Sequence, residues 1–420
     1  MGLHFADLRV AGRKASFDVM HVDLCIVNSV RRSIMADVPT AAFKFDPTKQ
    51  GEGVIIFRNT STLHNEFVGH RVSLVPFGLD ENQLRAFDPA NYKCVLKVKN
   101  SGSDMQPVTT ADFEVFNKAG ARLPKAVRDA LFPPCPITGN HILLLRLKPS
   151  SVCDGNGEEV YLECEASLGT GRQHARWSPV SRCFYRNKSD ASAVEASLAS
   201  RTAAVEEQRK ADGKPLMSES ERATTSAQHA TLDAHRCFIK DEYGDPSAFE
   251  FLLECESTLR PTYLVFRALQ VLHDKLQAIG EALTTRDAEK ITVESFPNMD
   301  DFYMLTVRGE DHTIGNLLQG MLYKRWIRDG LGKEVSYIGY YQPHPLENHI
   351  VIKVKSSVAG DDIRVRMTEG VTWLAAELDV LIMEWIGFSA LDKDGIVTVN
   401  ELLLRKGRKA LSAASALKKK

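Results

Sequence analysis

The sequence lacks the closely spaced cysteine pairs from which most zinc and iron–sulfur sites are built. Its 420 residues contain eight cysteines, and no two of them are separated by only two residues. Structural zinc sites and ferredoxin-type clusters usually take their ligands from such pairs. A disulfide scaffold is also unexpected in a chain of this length without a secretory signal. The spacing therefore predicts reduced, partly buried thiols, with no metal and no cofactor.

The sequence also lacks a long apolar run. No stretch of about 20 consecutive apolar residues occurs, so we expect no membrane-spanning segment and no membrane partner. The opening MGLHFADLRV has charges where a secretory signal peptide needs an apolar core. Ala6 stands where N-myristoylation needs Ser or Thr.

Neither sign of charge is in excess. The chain has 53 Lys and Arg residues against 54 Asp and Glu residues, which gives a net charge of −1. A free-standing nucleic-acid-binding protein usually has a clear basic excess. This balance, over a length that predicts two or three domains, favours a protein whose partners are other proteins.

Catalytic motifs are missing as well. The sequence has no D-x-D-x-D magnesium motif and no P-loop. Its GTG at 169–171 lacks the third glycine of a dinucleotide site. No Ser, Cys or carboxylate lies at a spacing that would make a catalytic triad with the histidines of interest. We therefore expect no catalytic residues in this chain.

One short pattern does occur twice, almost three hundred residues apart. Residues 23–34 and 311–322 share D-x-x-I-x-N-x-[V/L], each after a strand-like segment. We interpret both aspartates as helix N-caps, and replacement of either by Ala is expected to cost about 1 kcal/mol. The asparagines are expected to make structural hydrogen bonds that fix each helix to a neighbouring loop. The matched residues are Asp23, Ile26, Asn28 and Val30 in the first copy and Asp311, Ile314, Asn316 and Leu318 in the second.

The order of predicted elements repeats with the motif. Each copy reads as two strands, a helix, further strands and a long helix, with helix 23–36 and its apolar face of Leu24, Val27, Val30 and Ile34 in the first. The long helices carry heptad-like apolar stripes, so the two copies can bury these faces against each other. We predict an α+β fold in which two sheet-plus-helix dimerisation units pair within one chain. The stripe residues expected at the pairing surface are Leu269, Leu272 and Leu276 in the first copy and Leu378, Leu381 and Trp385 in the second.

The composition changes along the chain predict the domain boundaries. Strand-like runs separated by Pro and Gly turns indicate a mostly β inserted domain, and a stretch without Phe, Tyr or Trp predicts a mobile or loosely helical insertion. The short linker spans at most about 20 Å, which favours pairing within a monomeric chain. The predicted parts are residues 1–45 with 166–284 (first unit, with the insertion at 187–235), 46–165 (inserted β domain), 285–289 (linker), 290–388 (second unit) and 389–420 (basic tail).

Five blocks resemble the two α-like subunits of multisubunit DNA-directed RNA polymerases. Three are similar to the larger subunit, which is the bacterial alpha, archaeal D or eukaryotic third subunit. Two are similar to its smaller partner, the archaeal L or eukaryotic eleventh subunit. The larger-type blocks are DLCIVNSVRRSIMADVP (23–39), EFVGHRVSLVPF (66–77) and GTGRQHARWSPVS (169–181); the smaller-type blocks are EDHTIGNLLQGML (310–322) and YYQPHPLENHIVIKV (340–354).

This resemblance implies a non-catalytic assembly subunit. It implies a platform that recruits the largest and second-largest polymerase subunits, with small zinc-ribbon adapter subunits as further partners and DNA contacted only through the assembled complex. The fused arrangement is similar to that of large DNA viruses, so the implied location is the nucleus for a cellular protein, or the host nucleus, cytoplasm or virion for a viral one. The clustered zinc-loop cysteines of cellular eukaryotic relatives are absent.

The resemblance also implies a set of residues that contact other subunits. Arginine pairs with carboxylates through a planar fork, and Trp and Arg are frequent interface anchors, which suits this role. The expected interface residues are Asn28, Arg31, Arg32, His70, Arg71, His174, Arg176 and Trp177.

The C-terminal segment leaves an alternative open, namely a calcium- or nucleic-acid-binding module. Residues 390–401, ALDKDGIVTVNE, fit a calcium loop except at its first ligand position, where Ala390 replaces the usual Asp. The tail 404–420 has seven basic and no acidic residues. Loss of the first ligand disfavours calcium binding, and we expect the tail to be a solvated, frayed end.

Overall fold

The computed structural model describes residues 4–48, 52–150, 157–296, 299–332, 334–357 and 360–391. Its strands are β1 (Phe5–Ala11), β2 (Lys14–Met20), β3 (Pro39–Phe43), β4 (Val54–Asn59), β5 (Lys93–Lys99), β6 (Gln106–Thr109), β7 (Phe113–Phe116), β8 (Leu143–Leu147), β9 (Glu159–Thr170), β10 (Val180–Asn187), β11 (Ala248–Cys255), β12 (Ile291–Phe296), β13 (Met299–Arg308), β14 (Val335–Tyr341) and β15 (His349–Ser356). Its helices are α1 (Leu24–Ala36), α2 (Asn65–Ser73), α3 (Glu81–Arg85), α4 (Lys125–Leu131), α5 (Ala191–Ala211), α6 (Glu219–Leu232), α7 (Pro261–Thr285), α8 (His312–Tyr323) and α9 (Gly360–Ser389).

The first unit is built on a four-stranded antiparallel sheet with the order β1-β2-β11-β10. Strands β2 and β11 are more than two hundred residues apart in sequence but pair directly, with Phe17 opposite Phe251 and their rings stacked 5.1 Å apart. Helices α1 and α7 contact this sheet and each other. The pairing of β2 with β11 therefore completes the sheet of the first unit, and residues 39–179 are inserted between α1 and β10 of that unit.

Helix α1 departs from the prediction at its start. Val27, Val30 and Ile34 are buried as predicted, but the Leu24 side chain is 41% exposed, because the buried face runs through Ile26 instead. Asp23 occupies the N-cap position without accepting a hydrogen bond from the helix backbone. Its predicted capping role is therefore wrong, and its carboxylate binds a side chain of the second unit instead.

The second unit repeats the plan with a sheet of order β12-β13-β15-β14. Helix α8 begins after Asp311, whose carboxylate accepts a hydrogen bond from the Thr313 backbone N–H at 2.8 Å, so this predicted cap is confirmed. The helix continues into a π-helical segment over Lys324–Arg328. The long helix α9 follows β15, as the apolar stripe predicted.

The two units share a single hydrophobic core. Helix α7 packs along α9, and Trp385 on α9 lies against Phe5 and Phe17 of the first sheet, with ring centroids 5.0 and 4.6 Å away. The Trp385 indole N–H donates to the Thr262 carbonyl oxygen at 2.9 Å. The α+β fold with paired sheet-and-helix units is confirmed. All the predicted stripe residues lie in this core, namely Leu269, Leu272, Leu276, Leu378, Leu381 and Trp385, together with Ile314 and Leu318.

The region between β3 and β9 has its own core. Strands β3, β9, β5 and β7 form one sheet, to which β4 adds by pairing with β9, and β6 pairs with β8. Phe43, Phe77, Phe113 and Phe132 form an aromatic cluster at its centre. This mostly β region therefore packs around residues other than those that join the two units.

The segment expected to be mobile or loosely helical contains two defined helices, α5 and α6. Asp190 caps α5, and Ser218 and Glu221 form a capping box at α6. No residue of α5 is buried, so apolar packing is not what holds this helix. Ala-rich sequences favour helix intrinsically, and side-chain caps stabilise the ends, which explains the difference from the composition-based expectation.

The join between the units is tight. Helix α7 ends at Thr285, Arg286 adopts a left-handed conformation, and β12 begins at Ile291. Among the described helices, none is long and apolar enough to cross a bilayer. The calcium-loop-like segment beyond Leu391 and the basic tail lie outside the described residues.

Candidate subunit interface

The two repeated helices, α1 and α8, contact each other, and this α1–α8 crossing joins the two units. The Ser29 hydroxyl donates to the Thr313 carbonyl oxygen at 3.2 Å. A Cβ atom at Gly320 would lie 3.0 Å from Cys25 Sγ, closer than ordinary van der Waals contact, so the missing side chain lets the helices approach. The repeated motif therefore builds a contact between its own two copies.

Asp311 is the centre of a polar cluster at this crossing. Its carboxylate accepts hydrogen bonds from Arg172 Nη1 at 2.5 Å and Arg32 Nη2 at 3.2 Å, both from the first unit. Arg32 Nε also donates to the Thr313 hydroxyl at 2.9 Å. Burial alone would raise the pKa of Asp311, but the hydrogen bonds from Arg172 and Thr313 outweigh it and hold the pKa well below its usual range. Asp311 is thus ionised and strongly paired.

The cluster extends to helix α7 through Lys275. Its ammonium group donates to Glu310 of the second unit at 3.0 Å and lies 3.6 Å from Asp37 of the first. Arg172 also donates to Asp37, at 2.7 Å. Burial raises the pKa of Glu310 above its ordinary value, against the opposing effect of Lys275. Three first-unit cations therefore face two second-unit carboxylates, with Asp37 between them.

At the opposite end of the crossing, the basic side chain belongs to the second unit and the carboxylate to the first. Lys324 of the second unit donates to both carboxylate oxygens of Asp23, at 3.1 and 2.9 Å. Each motif aspartate is therefore held by a basic side chain of the other unit. In the first copy this contact replaces the helix cap.

The predicted interface residues of α1 have different surroundings. Arg32 binds Asp311 and Thr313 of the second unit. Arg31 is half-buried and donates through Nε and Nη2 to Asn28 Oδ1 on its own helix, at 3.1 and 3.0 Å. The Asn28 acceptor therefore serves Arg31 on its own helix, and a bond from Asn28 to a neighbouring loop stays a prediction. The half-buried Asn316 side chain has no hydrogen-bond partner among the described residues, and its predicted bond to a neighbouring loop stays a prediction.

The other predicted interface residues form a second group beside the inserted region. The rings of His70 and His174 lie 6.0 Å apart. Burial lowers the pKa of His174, and the Arg176 guanidinium and His70 act in the same direction. The Trp177 side chain is buried, with Arg176 above its ring at 5.3 Å. This group is separate from the α1–α8 crossing.

The two arginines of this group bind backbone carbonyls of their own chain. Arg176 donates to the carbonyl oxygens of residues 43 and 45 at 3.1 and 2.8 Å. Arg71 donates to those of residues 143 and 144 at 2.9 and 2.8 Å. These contacts hold β3 and β8 in place. A contact of this group with another subunit stays a prediction.

The segment 169–181 connects the two groups. The backbone N–H of Arg172 donates to the Ala36 carbonyl oxygen at 2.9 Å, and a Cβ at Gly171 would lie 2.1 Å from the Met35 carbonyl oxygen. Glycine is required here because the loop lies directly on the end of α1. This docking places Arg172 beside Asp311.

Sequence reasoning missed four residues of the central cluster. Asp37, Arg172 and Glu310 lie inside the blocks that carry the family resemblance, so their positions could have been singled out. Lys275 could not be singled out from the sequence, because it is a polar residue of α7, a helix that was predicted from its apolar stripe alone.

The described residues contain no group of three or more His, Cys, Asp or Glu side chains that could hold a metal ion. Cys94 and Cys164 lie opposite each other on β5 and β9, and burial raises the pKa of both thiols. Cys135 is exposed, and hydrogen bonds from Thr138 and the nearby backbone lower its pKa to about 7. The thiols thus differ strongly in expected reactivity.

Two parts of the chain match the RNA polymerase Rpb3/Rpb11 dimerisation domain, over residues 16–276 and 303–384. The chain is 30% identical over 194 residues to the DNA-directed RNA polymerases I and III subunit RPAC1 of Saccharomyces cerevisiae, which covers 41% of this chain and 53% of that protein. It is 26% identical over 196 residues to RPAC1 of Homo sapiens, covering 43% and 52%. It is 24% identical over 286 residues to the DNA-directed RNA polymerase subunit Rpo3 of Aeropyrum pernix, covering 63% and 89%. The chain thus spans about half the length of these RPAC1 relatives and most of Rpo3.

Proposed function

This chain belongs to the RNA polymerase Rpb3/Rpb11 dimerisation domain family, and we propose that it is a non-catalytic assembly subunit of a DNA-directed RNA polymerase. It joins a larger-type and a smaller-type α-like unit in one chain. The paired units form a rigid platform, and its two sides recruit the largest and second-largest catalytic subunits. Small zinc-ribbon adapter subunits are further partners, and DNA is contacted only through the assembled complex.

The observation that carries this proposal is the shared core of two repeats of the same domain. A surface formed by α7 and α9 and by the α1–α8 crossing is buried within one chain. Burial of the dimerisation surfaces against each other leaves the outer faces of the pair for other proteins. The related subunits named above support the identity of the complex.

The proposed outer contacts begin at Arg31. Its guanidinium lies on α1 but binds only Asn28 and the Met35 thioether among the described residues, so it can still bind a carboxylate of a partner. Exposed His70 lies on α2, beside His174. These residues form the proposed contact with the second-largest subunit.

Affinity purification of the tagged full chain from its native source tests the proposal. We expect both large subunits to be recovered with the wild-type chain. Arg31→Glu should reduce recovery of the second-largest subunit, since it places a carboxylate where a cation is needed. The control is Arg222→Glu on α6, another arginine that pairs within its own chain, with Glu206. Wild-type recovery with neither large subunit would contradict the proposal, and equal recovery with both variants would contradict the Arg31 contact.

Arg32→Ala is expected to reduce recovery by a different route. Arg32 binds Asp311 and Thr313 of the second unit, so its loss loosens the platform before any partner is met. Unchanged co-purification of the large subunits with this variant would contradict a role for Arg32 in assembly.

We further propose that the two units became one chain by gene fusion, as in the polymerases of large DNA viruses. A cellular protein of this kind would be located in the nucleus. A viral one would be located in the host nucleus or cytoplasm and packaged in the virion. Immunolocalisation in the native host distinguishes these cases.

A further inference from the structure

We propose that the outer face of the second unit's sheet binds single-stranded RNA, by stacking bases on aromatic rings and pairing phosphates with lysines. This binding site goes beyond the proposed function, in which the chain only joins other subunits. The choice of RNA rests on that function, because a DNA-directed RNA polymerase releases a single-stranded transcript. The surface, here termed the ring face, consists of Phe296, Phe302, Tyr337, Tyr341, Lys353 and Lys355.

Strand alternation separates the ring face from the core, because successive side chains of a strand point to opposite sides of a sheet. On β13, Leu305 is buried in the shared core, and Phe302 lies on the other side of the strand. On β15, Lys353 alternates with buried residues. Tyr337 and Tyr341 lie on the edge strand β14, with 47% and 41% of their surface exposed. The helices pack against the opposite side of the sheet, so this face is open to solvent in the part of the chain that the structure describes.

The rings form a continuous aromatic surface. The ring centroid of Phe302 lies 5.5 Å from that of Phe296 and 5.9 Å from that of Tyr337, and the Phe302 and Tyr337 planes are only 26° apart. A Cβ atom at Gly339 would lie 2.5 Å from the Tyr337 hydroxyl oxygen, so the tyrosine ring extends along its own strand over this glycine. Exposed rings on a four-stranded sheet are a platform on which single-stranded bases stack.

The lysines lie directly beside these rings. Lys353 Nζ is 4.7 Å from the centroid of the Tyr341 ring and 5.6 Å from that of Phe296. Its flexible stem lets the ammonium group turn from the rings to a phosphate. Lys355 Nζ is 3.5 Å from an Asp301 carboxylate oxygen, and both side chains are about half exposed. Because an exposed ion pair of this kind is weak, a phosphate can replace the carboxylate.

The use of lysine favours a nucleic acid over a protein as the occupant. The centres of protein interfaces are enriched in arginine and depleted in lysine, whereas phosphates are bound by either cation. The first unit's sheet offers a comparison in Phe184, which is 38% exposed and has Arg182 at 5.6 Å from its ring. Arg182 is paired with Glu254 at 4.0 Å, and no other ring contacts Phe184 among the described residues. That surface has one ring and a neighbouring carboxylate, so we do not expect it to bind RNA.

Fluorescence anisotropy of a labelled oligouridylate, titrated with the full chain, tests the proposal. We expect saturable binding with a dissociation constant below about 100 µM at low salt. Tyr337→Leu and Tyr341→Leu should each weaken binding about fivefold or more, because each removes a stacking surface. Phe184→Leu is the matched control and should leave the affinity unchanged. Wild-type melting midpoints would show that these variants are folded. An absence of binding, or equal affinity in all four proteins, would overturn the proposal.

The charged residues provide a test with two opposite signs. Lys353→Met should weaken binding and reduce the slope of log affinity against log salt by about 0.7, the value for one phosphate of a single strand. Asp301→Asn should strengthen binding, because it frees Lys355 and removes a negative charge from the ring face. A folding defect would not produce tighter binding. An unchanged salt slope for the first variant, or weaker binding by the second, would contradict the assigned contacts.

Other probes decide what the ring face recognises. A duplex of the same length should bind more weakly than oligouridylate, since its bases are stacked within the helix and cannot reach the rings. Equal binding of duplex, unaffected by the tyrosine variants, would assign the affinity to charge alone, as in the basic tail 404–420. Tighter binding of oligothymidylate than of oligouridylate would overturn the assignment to RNA.

The affinity purification described above separates this inference from the proposed function. Tyr337→Leu should lose RNA binding but still recover both large subunits, with or without ribonuclease treatment. Loss of a large subunit with this variant, without any RNA binding by the wild-type chain, would assign the ring face to a protein partner. Full recovery without RNA binding would leave the assembly role standing, and RNA binding without recovery would leave the ring face standing.

Discussion

Replacement of Asp311 by Ala should destabilise the protein much more than the same replacement at Asp23, although both open the same motif. Asp311 caps α8 through the Thr313 N–H and binds Arg172 and Arg32, with a side chain only 17% exposed. Asp23 makes no cap and, in the part of the chain that the structure describes, forms an ion pair only with Lys324; their side chains are 28% and 34% exposed. The two changes remove very different sets of interactions.

The expected sizes follow from these contacts. Loss of an N-cap costs about 1 kcal/mol, and a hydrogen bond to a charged group contributes about 1.5–3 kcal/mol. Since Arg172 keeps Asp37 and Arg32 keeps Thr313, we count one such bond, which gives about 2.5–4 kcal/mol for Asp311→Ala. The Asp23 pair is an exposed ion pair worth about 0.2–1 kcal/mol. The difference should be about 1.5–4 kcal/mol.

Urea unfolding followed by circular dichroism measures both values. Asp311→Asn is the control, because an asparagine can still accept the Thr313 N–H but has no charge. It should fall between wild type and Asp311→Ala. Equal losses at Asp311 and Asp23 would refute the reasoning, because the cap and the arginine contacts of Asp311 would then add nothing to its stability contribution.

The same residue predicts a pH dependence. The folded-state pKa of Asp311 is depressed, so its contribution is fully present above the unfolded value of about 3.9 and is lost as pH falls toward the folded value. The stability gap between wild type and Asp311→Asn should therefore stay constant from pH 7 to pH 5 and shrink below about pH 4. A gap that widens on acidification would show that the sign is wrong.

Three further predictions concern other parts of the molecule. Trp385→Phe should cost about 1–3 kcal/mol in urea unfolding, because it removes the buried indole hydrogen bond to the Thr262 carbonyl oxygen and part of the ring that packs against Phe5 and Phe17; a loss below about 0.5 kcal/mol would contradict the assigned bond. Cys135 should react fast with a disulfide reagent, at a rate that rises through about pH 7, and Cys135→Ser should remove this fast phase, whereas Cys94 and Cys164 should react only on unfolding. Elemental analysis of the pure protein should find neither zinc nor iron in stoichiometric amount, and a full equivalent of either would overturn the prediction from cysteine spacing.

The apolar pattern was sufficient to predict the long helices of the two units and their pairing. Heptad-like spacing placed Leu272 and Leu378 on helix faces that pack together, and the repeated motif located both crossing helices. These features are predictable because each depends on a pattern within a short segment of sequence. A large apolar face must also be buried against another element, and few arrangements achieve this.

The polar cluster was not predictable in the same way. Its members come from the end of α1, the loop after β9, helix α7 and the start of α8, as Asp37, Arg172, Lys275 and Asp311. No periodicity links these positions, and only the folded geometry brings them within hydrogen-bond distance. Helix α5 forms without burying any of its residues, and we attribute its stability to capping and helix propensity.

The two motif aspartates have different partners, so the two copies of the repeat are not equivalent in the folded chain. Identical local sequence offers each aspartate the same cap, but Asp23 binds Lys324, whereas Asp311 keeps the cap and gains two arginines. An exact repeat would place the same residues at both ends of the α1–α8 crossing, and its two copies would then be equivalent. The aligned positions Arg32 and Gly320 also differ, because Arg32 donates to the Thr313 hydroxyl whereas Gly320 lies against Cys25. The two ends of the α1–α8 contact therefore have different hydrogen bonds, although both helices begin with the same motif.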